Sequence, residues 1–111
     1  MKKVFLGLCI AAWFSVKVSA QAPDDVSALL KKHTCVSCHK VDKKGIGPNW
    51  TEIAQKKYTA KEIITLVYEP KPEHWPGYVS MAALPQVPKA DLKKIASWIK
   101  TLEEKDRKSV V

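Results

Sequence analysis

Two cysteines and a histidine are spaced for chemistry. Cys35-Val36-Ser37-Cys38-His39 is a C-x-x-C-H motif, the attachment signature of c-type haem. The spacing has a physical basis. On a helix, residues three and four apart share a face. Read as a helix, the motif lets Cys35 and Cys38 reach two vinyl groups on one porphyrin edge, while His39 turns toward the iron as its proximal ligand. Other chemistries fit less well. A thioredoxin-like pair calls for a preceding strand, and no strand pattern is present. A structural zinc ion needs four ligands, and this cluster supplies three. A Cys35–Cys38 disulfide would close a very small loop and constrain little.

A haem iron bound on one side by His39 has a sixth position to fill. Met81 is the candidate, because its thioether favours reduced iron and it stands in a proline-rich loop outside any helical stripe. The alternative for Met81 is a gap-filling core side chain. His74 in the same loop is the rival ligand, and an open site is the third option. His33, two residues before Cys35, is hard to bring to the opposite face.

These residues must be positioned by a small chain. The 111 residues make one domain, with 46% apolar and 27% charged residues, which excludes large catalytic scaffolds and wholesale disorder. The opening segment is of a different kind. Lys2 and Lys3 precede an uncharged stretch, Val4 to Val16, and Val18-Ser19-Ala20 offers small residues to a signal peptidase. This is the pattern of a secretory signal peptide over residues 1–20, cleaved to leave Gln21 first. The stretch is too short for a spanning helix, and Lys17 blocks its extension. Cys9 reads as one more apolar residue of that leader. The domain is then 21–111, with two cysteines, 16 basic and 11 acidic side chains and a net charge of +5, against +8 for the whole chain. Export implies a periplasmic protein with no membrane span in the mature chain. A core this small commonly needs a staple, and a covalent haem supplies one.

The fold class expected is all-α, with three to four helices. Asp24 to about His39 opens with two acids at its N-terminus and carries Val26, Leu29 and Leu30 on one face. Thr59 to Tyr68 begins with Thr59-x-x-Glu62, a capping box. Pro88 to about Glu104 places Leu92, Ile95, Ala96, Ile99 and Leu102 at helical spacing, with Pro88 in the first turn. Asn49 to Lys57 is a short fourth helix starting at Asn49-x-x-Glu52. Asp42 to Pro48 reads as a loop. So does Glu69 to Val87, where Pro70, Pro72, Pro76 and Pro85 exclude a regular element. A loop of that length in a compact domain is usually functional.

With these features in place, residues 24–104 resemble a small bacterial class I cytochrome c, monohaem and His/Met-ligated. The resemblance rests on Cys35-Val-Ser-Cys-His39 near the N-terminus, Gly47-Pro48 after it, Met81 before the last helix, and a C-terminal helix bearing Trp98. It implies that the first and last helices cross and that one haem c, held by Cys35 and Cys38, sits in a crevice. It implies that the Pro48 carbonyl accepts a hydrogen bond from His39, and that Trp75 donates its indole N–H to a haem propionate. A packing aromatic is the other reading of Trp75. Trp50 and Tyr58 are expected to line the haem or the core, Trp98 to pack between helices, and Ala28 to be the small residue at the helix crossing. One departure is Ala82, where many relatives have proline after the ligand methionine.

The function expected is a soluble exported carrier of single electrons, not an enzyme, since no catalytic constellation accompanies the haem motif. Lys31, Lys32, Lys40, Lys43, Lys44, Lys56, Lys57 and Lys61 would steer it to acidic redox protein partners, either reductase or oxidase. The expected state is a monomer or a transient complex, with no nucleic-acid partner. Two alternatives stay open: an electron-accepting subunit of a periplasmic oxidoreductase, and a haem ligand sensor if the sixth site is open.

Overall fold

A computed structural model describes Gly7 and residues 21–41 and 43–109, with side chains described as far as Lys105. The leader at 1–20, apart from Gly7, lies outside the described residues. Four α-helices follow in order: α1 (Asp24–Lys32), α2 (Trp50–Gln55), α3 (Ala60–Tyr68) and α4 (Lys89–Ser109). Short 3₁₀ turns lie at Cys35–Ser37 and Pro72–His74, and no strand occurs among the described residues. This is the all-α arrangement expected.

The last helix organises the rest. Leu92, Ile95, Ala96, Ile99 and Leu102 are all buried, and α1, α2 and α3 each pack on α4. From α1 come Val26 and Leu30, four residues apart and therefore on one face. Truncating either to alanine costs about 1–5 kcal/mol at a site this enclosed. From α2 come Trp50 and Ala54, and from α3 Ile63 and Ile64. The expected packing of the first helix on the last is therefore present. Ala28 is not part of it. That side chain is exposed, and the fully enclosed small residue is Ala96 on α4.

Helix boundaries follow local chemistry. Asn49 caps α2 by accepting from the Glu52 N–H at 2.8 Å, and Glu52 accepts from the Asn49 N–H at 3.1 Å, a complete capping box. Thr59 caps α3 through its hydroxyl, which accepts from the Glu62 N–H. Pro88 stands just before α4 rather than in its first turn, and its carbonyl accepts from Asp91 and Leu92. The helix continues past Glu104 to Ser109, through residues that include no glycine or proline to stop it.

The first helix is shorter than its sequence suggests. It ends at Lys32, and Thr34 takes a left-handed backbone at φ 61°. A β-branched residue there is uncommon, since its Cβ crowds the backbone. The Thr34 hydroxyl donates to the His33 carbonyl at 2.7 Å. The C-x-x-C-H motif accordingly begins in a separate 3₁₀ turn, not on a continuation of α1. The His33 ring ties this corner to α4, with Nε2 2.9 Å from the Asp91 carboxylate.

The long loop is irregular, as its prolines require, and is fastened at its far end. The Tyr68 hydroxyl donates to the Val87 carbonyl at 2.7 Å, and the Leu84 N–H to the Val67 carbonyl at 3.0 Å. Gly77 has φ 92°, a backbone that other residues rarely adopt.

Candidate haem site

Cys35, Cys38 and His39 all face one crevice. Within the 3₁₀ turn and its exit, the Cys38 and His39 N–H groups both donate to the Cys35 carbonyl, at 3.3 and 3.0 Å. This tight bonding brings the three side chains to a common wall, replacing the helical face expected from the spacing. No disulfide joins Cys35 to Cys38. Burial pushes the Cys35 thiol up, with its own backbone hydrogen bond pulling the other way. No group of three or more His, Cys, Asp or Glu side chains among the described residues forms a metal-binding cluster.

His39 is held firmly. Its Nδ1 lies 2.7 Å from the Pro48 carbonyl oxygen. A carbonyl can only accept, so Nδ1 carries the proton and Nε2 presents its lone pair. Burial pushes the His39 ring down from its ordinary value and the Pro48 bond pushes it partly back, so the ring is neutral near pH 7. Trp50 lies against it, with ring centroids 4.9 Å apart, and Trp98 meets Trp50 edge-on at 5.3 Å. Gly47 leaves room for this ring. A Cβ there would sit 3.0 Å from His39 Cε1 and 3.2 Å from Nδ1.

The crevice has a volume of about 430 Å³. Ile63, Leu92, Ile95 and Ile99 form part of its apolar floor, and Met81, Trp75 and Tyr58 also border it. The donor set suits an iron porphyrin: two thiols for its edge, a neutral imidazole with one nitrogen free, a thioether, and an apolar cleft closed by a glycine cradle. Met81 is 38% exposed, so its thioether is accessible at the crevice rather than locked in the core.

The rival ligands are engaged elsewhere. His74 stacks on Tyr58 and its Nδ1 lies 2.8 Å from the Tyr58 hydroxyl. His33 is turned to Asp91. Neither borders the crevice, whereas Met81 does.

The cytochrome c family pattern matches residues 24–103. The chain belongs to the cytochrome c family. It is similar to cytochrome c-552 of Nitrosomonas europaea, at 35% identity over 108 residues, which covers 93% of this chain and all of the relative. In fold it is similar to the class 1 cytochrome MtoD of Sideroxydans lithotrophicus ES-1, with a TM-score of 0.59 at 22% identity, over 72% of this chain and 95% of that one. The protein is thus a class I cytochrome c, an electron carrier and not an enzyme, with haem c attached through Cys35 and Cys38. No helix among its described residues is long and apolar enough to cross a membrane.

Several contacts of this cytochrome are invisible in its sequence. Lys56 places its ammonium 4.6 Å from the Trp75 ring centroid and donates to the His74 carbonyl at 3.0 Å. The Tyr78 hydroxyl donates to Glu52 at 2.9 Å. Only the Glu52 end carried a signal, as the third residue of a capping box. Its long-range partner had none.

Proposed function

We propose that this cytochrome is a soluble, exported, monohaem carrier of single electrons, with His39 and Met81 as its two axial ligands. When bound, the haem iron accepts one electron and gives it up again. The observation that carries the reading is a single crevice bordered by Cys35, Cys38, His39 and Met81, with both rival histidines engaged outside it. With His39 and Met81 both holding the iron, no position would be left for substrate. Pro48 keeps the His39 ring in one orientation and one tautomer. Trp75, at the crevice edge, would donate its indole N–H to a haem propionate. Residues 1–20 act as a cleaved signal peptide, which places the domain 21–111 in the periplasm.

The partners proposed are acidic redox proteins. All eight lysines named above are exposed, and Lys56 and Lys71 stand close to the crevice. Such charge raises encounter rates with a negative partner and loses that effect as salt screens it. A second reading, a dedicated electron-accepting subunit, is favoured by one feature. Ile46 and Val79 border the crevice and are 56% and 72% exposed, an apolar rim that a stable partner would cover.

Mass spectrometry and voltammetry of protein recovered from the exporting host test the proposal. The expected result is residues 21–111 plus one haem, giving a reversible one-electron wave that added peroxide leaves unchanged. A retained leader would overturn the export assignment. A catalytic peroxide current would overturn the carrier role. Co-purification with one oxidoreductase would select the subunit reading.

A further inference from the structure

Glu52 joins the two parts of the site. Its Oε2 accepts from the Asn49 backbone N–H at 3.1 Å and from the Tyr78 hydroxyl at 2.9 Å. Asn49 directly follows Pro48, whose carbonyl holds His39. Tyr78 is three residues before Met81. One carboxylate oxygen therefore links the segment that orients the histidine to the segment that carries the methionine.

We propose that Glu52 and Tyr78 are positioning residues that hold the Met81 segment closed. This rests on the assignment of Met81 as an axial ligand. The loop around Tyr78 has few alternative restraints. Gly77 and Pro76 precede it, and Val79, Ser80 and Met81 after it are all exposed. The carboxylate gives the Tyr78 hydroxyl a charged acceptor, which is stronger than a neutral one. The contacts upstream are independent of it. Lys56 reaches Trp75 and His74, and Tyr58 meets His74, without use of the Tyr78 hydroxyl. Loss of the Glu52–Tyr78 bond thus frees the Met81 segment without dismantling the loop.

The test uses haem-loaded protein and added imidazole, which competes for the position Met81 fills. Tyr78→Phe keeps the ring, and with it the edge contact to Trp75. It is expected to raise apparent imidazole affinity about ten-fold, in line with one lost charged hydrogen bond. Glu52→Gln is expected to act in the same direction. The double variant should match Tyr78→Phe rather than sum the two effects, because Glu52→Gln only weakens, by removing its charge, the same bond that Tyr78→Phe removes. A denaturation midpoint for each variant separates positioning from general destabilisation. Unchanged imidazole affinity in Tyr78→Phe, or full additivity in the double variant, would overturn the positioning role while leaving Met81 as ligand. A wild type without the methionine-to-iron charge-transfer band would overturn the ligand assignment and this inference together.

Discussion

The imidazole of His39 and the carbonyl of Pro48 meet at 2.7 Å, and this one bond decides which ring nitrogen is available for coordination. Nδ1 is committed to the carbonyl, so Nε2 keeps its lone pair free. Trp50 packs against the ring, and Gly47, lacking a Cβ, leaves room for it.

Gly47→Ala should disturb that arrangement. The new Cβ would press on His39 Cε1 at 3.0 Å, and the ring cannot retreat without loosening its bond to Pro48 or its contact with Trp50. Overpacking of this kind costs about 1–3 kcal/mol. Chemical denaturation of the haem-loaded variant should show that loss, together with a shifted reduction potential.

Trp50→Ala should be more damaging. Trp50 is 4% exposed and stands between His39 and Trp98. Its removal leaves a large cavity beside His39 and should lower stability by about 3–5 kcal/mol. Thermal melting of the variant checks this directly.

The crevice floor makes the fold dependent on its cofactor. Ile63, Leu92, Ile95 and Ile99 belong to the common core and also border the crevice. A bound haem would pack on these side chains and extend the core across the crevice. The Cys35→Ala/Cys38→Ala double variant, prepared without haem, should lose most of its fixed tertiary packing. Near-ultraviolet circular dichroism, read through Trp50 and Trp98, reports it. A native-like aromatic spectrum would count against this dependence.

The Tyr58 phenol supplies a pH dependence. Burial chiefly, and the Glu62 charge in addition, push it above its ordinary value of 10.0. The folded state therefore binds this proton more tightly than the unfolded chain. Its contribution is complete below pH 10 and is lost as pH rises from there through the folded value. Alkaline titrations of denaturation midpoint should show a shallower decline in Tyr58→Phe than in wild type.

The sequence disclosed the parts of this molecule whose causes are local. The Asn49–Glu52 box is written within four residues, and the α4 stripe from Leu92 to Leu102 repeats at helical spacing, so both were readable. The proline-rich character of 69–87 was equally plain. The early end of α1 was not, because nothing in the residue types at 33 and 34 outweighs helical continuation. Only tertiary ties, such as His33 to Asp91, show why the chain turns there. Ala28 was misplaced because the exposed and crossing faces of a nine-residue helix differ by one position in register. At the site, the attachment motif was legible, and the Pro48 contact followed from family resemblance. Trp50 against His39, Lys56 over Trp75 and Tyr78 on Glu52 join residues 11 to 26 positions apart, and no local pattern encodes them.

The most direct test of the closed, two-ligand site is an optical spectrum of mature protein, oxidised and reduced, with and without carbon monoxide, for wild type and Met81→Ala. The account predicts a c-type haem spectrum with a weak methionine-to-iron charge-transfer band in wild type, no carbon monoxide binding, and loss of the band with prompt carbon monoxide binding in Met81→Ala. A wild type that lacks the band, or that binds carbon monoxide at once, would contradict it.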